Sequence, residues 1–208
     1  MNVLFHELTR VISLYRSRPD IEIEVRFGWK HKTHFDTNLQ IHFFELLRRK
    51  FSQSDCFMER KSSTEVYIYD SCRVITDTKG TILDTHRKVN LESIDFALEG
   101  TPYDVRISVC QERPVKKLNL ILDQKHKIRS RERYQYIYKM WNYDLTRVFV
   151  HSTGSHVYEF ELELNIHNTD KKHTPEYLAH SMLMKINDVA NCSVDNCENI
   201  HLKNVRYL

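Results

Sequence analysis

Glu22, Glu24 and Arg26 occupy alternate positions of the apolar run IEIEVRFG (21–28), and Glu159, Glu161 and Glu163 do the same in YEFELELN (158–165). A strand sends successive side chains to opposite faces, so each segment sets a row of charges against a row of large apolar residues. In an open sheet the apolar row would face the core and the acids would face water. Carboxylates on two adjacent solvated strands, however, repel one another and contribute nothing. A divalent cation binds hard oxygen ligands and cancels that repulsion. In a closed barrel the charged face would line a lumen.

The same alternation finds counter-charges. Arg129, Arg131 and Arg133 share a face in RSRER, Arg106, Ser108, Cys110 and Glu112 in RISVCQE, and Asn142, Asp144 and Thr146 in NYDLT. Taken alone, RSRER reads as a solvated face or a nucleic-acid backbone patch. Combined with two acidic strands it equips a site for a polyphosphate. A metal on carboxylates and guanidinium forks on the opposite wall would share the phosphate charge.

Strands must hold these rows, and the chain supplies them. Between 65 and 165, Val, Ile, Tyr and Thr recur in TEVYIYDSCRVITD, TILDTHRKV, YDVRISVCQERPV, RERYQYIYKMWNYDLTRVFV and HVYEFELELNI, with turns at Lys79-Gly80 and Gly154. Helical spacing predicts a helix over 2–17, closed by Pro19 and Asp20, and a second over 38–51. A last helix over 175–190 opens on Thr174 as N-cap, Pro175 in the first position and Glu176 in the first turn. The expected class is β-dominated α+β, a sandwich or barrel with flanking helices, formed as one domain over 1–208.

Composition sets bounds. The 208 residues carry 31 basic and 28 acidic side chains for a net charge of +3, which argues against a protein that coats nucleic acid with its whole surface. Basic residues bunch in 113–133. The chain contains no apolar run long enough for a membrane span and no secretory leader, which predicts an intracellular protein. Five scattered cysteines argue against a disulfide framework, and Cys192 and Cys197 lack companions at zinc spacing.

In order along the chain, IEIEVRFG, YDVRISVCQERPV, RSRERYQY followed by WNYDLTRV, and YEFELELN resemble the successive motifs of the fungal and viral metal-dependent RNA 5'-triphosphatases, members of the triphosphate tunnel metalloenzymes. The resemblance spans residues 20–165. It implies a closed eight-stranded antiparallel β-barrel over about 20–165 around a hydrophilic tunnel, a Mg2+ or Mn2+ ion, and removal of the γ-phosphate from triphosphate-ended RNA at the start of cap synthesis.

By position, Glu22, Glu24 and Glu163 resemble the family's metal ligands and Glu161 its neighbouring acid. Glu159 resembles the outer acid of its strand, and Glu112 and Asp144 resemble tunnel acids that hold basic residues in place or orient the attacking water. Arg106, Arg129, Arg131 and Arg133 resemble the cations that hold the β and γ phosphates. Arg73 and Lys88 resemble two more, although Arg87 rather than Lys88 could face inward. Asn142 departs from the pattern, which has an arginine there. No lysine-containing nucleotidyl-transfer motif accompanies the strands, so the resemblance implies that a separate guanylyltransferase acts as functional partner. The small stand-alone form is similar to viral enzymes, which implies a viral protein acting in a host cell or virion. Two rivals stand beside this reading: an inorganic tripolyphosphatase or NTPase on the same tunnel, and a non-catalytic barrel that binds RNA or polyphosphate.

Overall fold

The computed structural model describes residues 3–69, 72–115, 127–165, 172–193 and 205–207. Three helices, α1 (Val3–Tyr15), α2 (Ile41–Ser52) and α3 (Pro175–Cys192), accompany strands β1 (Ile21–Lys30), β2 (Phe35–Asp36), β3 (Met58–Tyr69), β4 (Cys72–Thr76), β5 (Ile82–Leu98), β6 (Asp104–Pro114), β7 (Lys127–Tyr138), β8 (Trp141–Val150), β9 (Ser155–Leu164) and β10 (Val205–Tyr207). Following hydrogen-bonded neighbours from β1 through β6, β5, β4, β3, β7, β8 and β9 leads back to β1. This is a closed eight-stranded antiparallel barrel. β10 extends β5, and β2 pairs with the end of β1.

Closure rests on β1, which pairs with β6 on one side and β9 on the other. Both of its hydrogen-bonding edges are therefore paired, so it has no free edge. Its apolar row, Ile21, Ile23, Val25 and Phe27, points outward with Val105, Ile107, Leu145, Phe160 and Leu162 and is buried under the helices. α1 contributes Leu4, Leu8, Val11 and Ile12, each fully buried at helical spacing. At roughly 1.5–3 kcal/mol per buried side chain, this stripe fastens α1 against α3 and, to a lesser extent, β1. The core thus lies outside the barrel wall, between strands and helices, and the lumen is left to polar groups.

Local features match their sequence signals where those exist. The Thr174 hydroxyl accepts from the Tyr177 amide at 3.2 Å and Pro175 opens α3. Gly28 allows a close backbone approach: a Cβ there would lie 2.1 Å from the Asp36 carbonyl oxygen, so any side chain would push β2 off β1.

Several boundaries differ from the sequence expectation. TEVYIYDSCRVITD is two strands, β3 and β4. β5 continues past Val89 to Leu98, through a bulge between Asn90 and Glu92 that interrupts the alternation. RERYQYIYKMWNYDLTRVFV folds back at Lys139–Met140 into β7 and β8, with Lys139 in the left-handed region at φ 54°. That turn has no Gly, Asn or Pro to announce it. Much of the basic stretch 113–133, and Cys197, lie outside the described residues.

Candidate active site

The charged rows do face one lumen. Its central cavity, of about 280 Å³, is lined by Glu22 and Arg26 from β1, Arg73 from β4, His86 and Lys88 from β5, Glu112 from β6, Arg129, Arg131 and Arg133 from β7, and Glu159, Glu161 and Glu163 from β9. A second chamber of about 470 Å³ shares Arg26, Arg73, Lys88, Arg129 and Glu159 with the first and adds Glu24, Arg106, Ser108 and Cys110. A third space reaches the surface past Asp20, Asp84 and Glu112. The shared walls make these one continuous passage.

Register explains the grouping. Glu24 lies opposite Glu163 and Arg26 opposite Glu161 across the β1–β9 seam. Across β8–β9, Asn142, Asp144 and Thr146 lie opposite Glu163, Glu161 and Glu159. Residues far apart in sequence therefore form layered rungs of charge around the lumen.

The acids and part of the cations neutralise each other. Arg26 donates from Nε to Glu24 at 2.9 Å and from a terminal nitrogen to Glu161 at 2.7 Å. Arg133 pairs with Asp144 at 2.9 Å and lies 3.9 Å from Glu161. Although burial opposes ionisation, Arg26, Arg133 and Lys88 hold the Glu161 carboxyl down at about 2. The Lys88 ammonium donates to Glu22 and lies 3.7 Å from Glu24 and 3.5 Å from Glu112. Lys88 is thus the inward residue of its pair; Arg87 is exposed.

Two sets of groups lack a counter-charge. Arg73, Arg129 and Arg131 make no ion pair among the described residues, and the buried Nε of Arg131 has no hydrogen-bond acceptor. Burial, and then the neighbouring Arg133, lowers Arg131 to about 10 against the opposing pull of Glu161. On the acidic side, burial and then Glu22 and Asp144 push Glu163 up to about 8. Asn142 donates to Glu163 at 3.4 Å and leaves its own buried Oδ1 without a donor.

These are the residues a divalent ion would suit. Carboxylate oxygens of Glu22 and Glu24 and the Cys110 sulfur lie within 4.8 Å of one another, and Glu163 stands in register beside Glu24. A carboxyl raised to about 8 and an orphaned amide oxygen next to it are relieved by a cation.

Arg106 sits apart from the central cavity. It gives its guanidinium to Asp95 in a two-pronged pair at 2.6 and 2.9 Å and lies over the Phe35 ring. Glu159 keeps one oxygen on the Thr37 hydroxyl at 3.1 Å. The sequence puts Arg26 on the charged face without indicating its role, and does not single out His86, Asp84 or Asp95. Parity with Glu24 was the available signal for Arg26, and parity with Lys88 for His86. Asp95 follows the β5 bulge, where parity is lost.

Among the described residues no helix is long and apolar enough to cross a membrane. No curated protein sequence matches the chain. In structure it is similar to the Schizosaccharomyces pombe Pct1 RNA triphosphatase solved with the Spt5 CTD, with a TM-score of 0.74, 16% identity and 96% of this chain covering 94% of that one. It is also similar to the Mimivirus capping enzyme triphosphatase, with a TM-score of 0.59, 15% identity and 90% of this chain covering 96% of that one. Residues 2–200 match the family model described as mRNA capping enzyme, beta chain. The charged lumen, the closed barrel and this match over nearly the whole length lead to one conclusion: the chain belongs to the mRNA capping enzyme beta-chain family, the metal-dependent RNA 5'-triphosphatases of the tunnel type.

Proposed function

We propose that this protein removes the γ-phosphate of triphosphate-ended RNA inside the tunnel, as the first step of cap formation, and that it also hydrolyses nucleoside triphosphates. The observation that carries the reading is the pairing pattern. Among the described residues Arg73, Arg129 and Arg131 face the lumen without ion-pair partners, and Glu163 stands in the same lumen without a cation beside it. A chain of phosphates with a divalent ion satisfies both at once.

In this reading Glu22, Glu24 and Glu163 would hold Mg2+ or Mn2+, which would supply charge neutralisation and Lewis acidity at the phosphate chain. Arg73, Arg129, Arg131 and Arg133 grip the β and γ phosphates and stabilise charge as the bond to the leaving oxygen lengthens. Glu161, held ionised by Arg26 and Arg133, and Glu159 are the acceptors that orient the attacking water. Transfer to water in one step needs no nucleophilic side chain. Arg106 acts at the second chamber, steering the incoming polyanion. Lys88, which pairs with Glu22 and lies near Glu24, would be available to phosphate where a cation held those carboxylates, and Glu112 and Asp144 hold Lys88 and Arg133 in place.

The remainder of the proposal concerns context. Residues 1–208 act as a single tunnel domain, in an intracellular and viral setting, with guanylyl transfer supplied by a separate protein. The likeness to the Mimivirus capping enzyme triphosphatase supports the viral setting. The test is release of labelled γ-phosphate from triphosphate-ended RNA, with and without metal, beside ATP and tripolyphosphate. Tripolyphosphate hydrolysis without RNA hydrolysis would favour an inorganic tripolyphosphatase. Tight RNA binding without any hydrolysis would favour a non-catalytic barrel.

A further inference from the structure

We infer that Cys110 is a ligand of the tunnel cation, and that its sulfur gives the site affinity for thiophilic divalent ions such as Zn2+ and Cd2+. The inference rests on the metal-binding role proposed above for Glu22 and Glu24.

Cys110 belongs to the lumen and not to the apolar core. On β6 it alternates inward with Ser108 and Glu112, and its backbone lies opposite Glu22 on β1 and Asn90 on β5. It lines the second chamber with Glu24 and Lys88. A buried free cysteine ordinarily serves as a small hydrophobe among other apolar side chains. Cys110 is 6% exposed, yet it takes no place in the hydrophobic cluster. Its hydrogen-bond contact is the Asn90 Oδ1 at 4.0 Å, the outer limit for sulfur, so the thiol has no strong interaction to give up.

Distances fit a shared ion. The sulfur and the carboxylate oxygens of Glu22 and Glu24 lie within 4.8 Å of one another. Ligand bonds of about 2.3 Å to sulfur and about 2.0–2.2 Å to oxygen span that separation after small side-chain rotations. An all-oxygen set selects Mg2+ or Mn2+; one thiolate shifts preference toward Zn2+ and Cd2+. On coordination the metal–sulfur bond forms as the S–H bond breaks, and the proton passes to buffer. Lys88 leaves Glu22 and Glu24 as the ion arrives, because an ammonium and a divalent ion compete for the same oxygens.

Titrating the full chain with Cd2+, and following thiolate-to-cadmium charge transfer in the ultraviolet, tests the idea. The difference between wild type and Cys110→Ser isolates this thiol from the other four. The expected result is one Cd2+ bound through Cys110, at least about tenfold weaker in Cys110→Ser, with the same band lost in Glu24→Gln and displaced by excess Mn2+. Identical titrations of wild type and Cys110→Ser, or a Cys110 band that survives Glu24→Gln, would overturn it. Should Cys110→Ser not fold, alkylation of wild-type Cys110 mapped by mass spectrometry decides: protection by Cd2+ supports the ligand, and equal labelling with and without Cd2+ refutes it. RNA hydrolysis with Mg2+ is measured separately, so absence of RNA cleavage alongside an intact Cd2+ site would count against the function and not against this ligand.

Discussion

Arg26 donates to Glu161 at 2.7 Å across the β1–β9 seam, the junction at which the barrel closes. The same guanidinium holds Glu24, so one side chain ties the acidic rung of β1 to that of β9. Replacing it with Ala strands two buried carboxylates, a loss of about 3–5 kcal/mol for a broken buried pair. Arg26→Ala should therefore melt well below wild type and lose hydrolysis, and Arg26→Lys should recover part of the stability. Unchanged melting of Arg26→Ala would show that the seam does not depend on this clamp.

Arg131 and Arg147 offer a matched comparison. Arg131 lies in the lumen and makes no ion pair among the described residues, whereas the Arg147 side chain is 50% exposed and pairs outside the barrel with Glu132 at 2.7 Å. Arg131→Ala should slow turnover by roughly 100-fold, with Arg131→Lys between it and wild type because charge remains but the two-pronged grip is lost. Arg147→Ala should leave the rate near wild type. Steady-state hydrolysis of the three variants checks this, and equal small effects at both positions would remove the lumen arginines from phosphate binding.

A metal that relieves repulsion among enclosed carboxylates binds the folded chain and finds no formed site in the unfolded one. At about 100 times the dissociation constant it contributes about 2.7 kcal/mol, seen as a rise in melting temperature. Thermal melts with Mn2+ should show that rise in wild type and not in Glu24→Gln. A rise of equal size in the variant would place the ion elsewhere.

Asp144 should make stability fall as pH rises. Burial pushes its folded-state pKa up to about 6, against an ordinary 3.8, even though Arg133 opposes the change. Below about pH 4 both states are protonated and the contribution is fully present. Between 4 and 6 the unfolded chain has released the proton that the folded one retains, so stability is lost across that window. The difference is on the order of 3 kcal/mol. Urea melts at pH 4.5 and 6.5 should show a steeper loss for wild type than for Asp144→Asn. Parallel behaviour of the two proteins would contradict the assignment.

The sequence by itself determined which side chains share a face. Alternation is a local property of extended backbone, and IEIEVRFG, RSRER and YEFELELN therefore announced Glu22, Glu24, Arg129, Arg131, Arg133, Glu159, Glu161 and Glu163 without reference to any partner strand. The capped start of α3 was legible for the same reason, since Thr174, Pro175 and Glu176 act on the backbone beside them. Only the tertiary structure decided which rows meet. The turn at Lys139–Met140 and the bulge after Asn90 carry no strong residue signal, yet the first sets the β7–β8 register that brings Arg133 to Asp144 and the second the β5–β6 register that brings Arg106 to Asp95. Closure likewise separated the cations into Arg26, Lys88 and Arg133, each paired with carboxylates, and Arg73, Arg129 and Arg131, which make no ion pair among the described residues. That division depends on distances across a lumen, between residues more than a hundred positions apart in some cases, and no local pattern contains them.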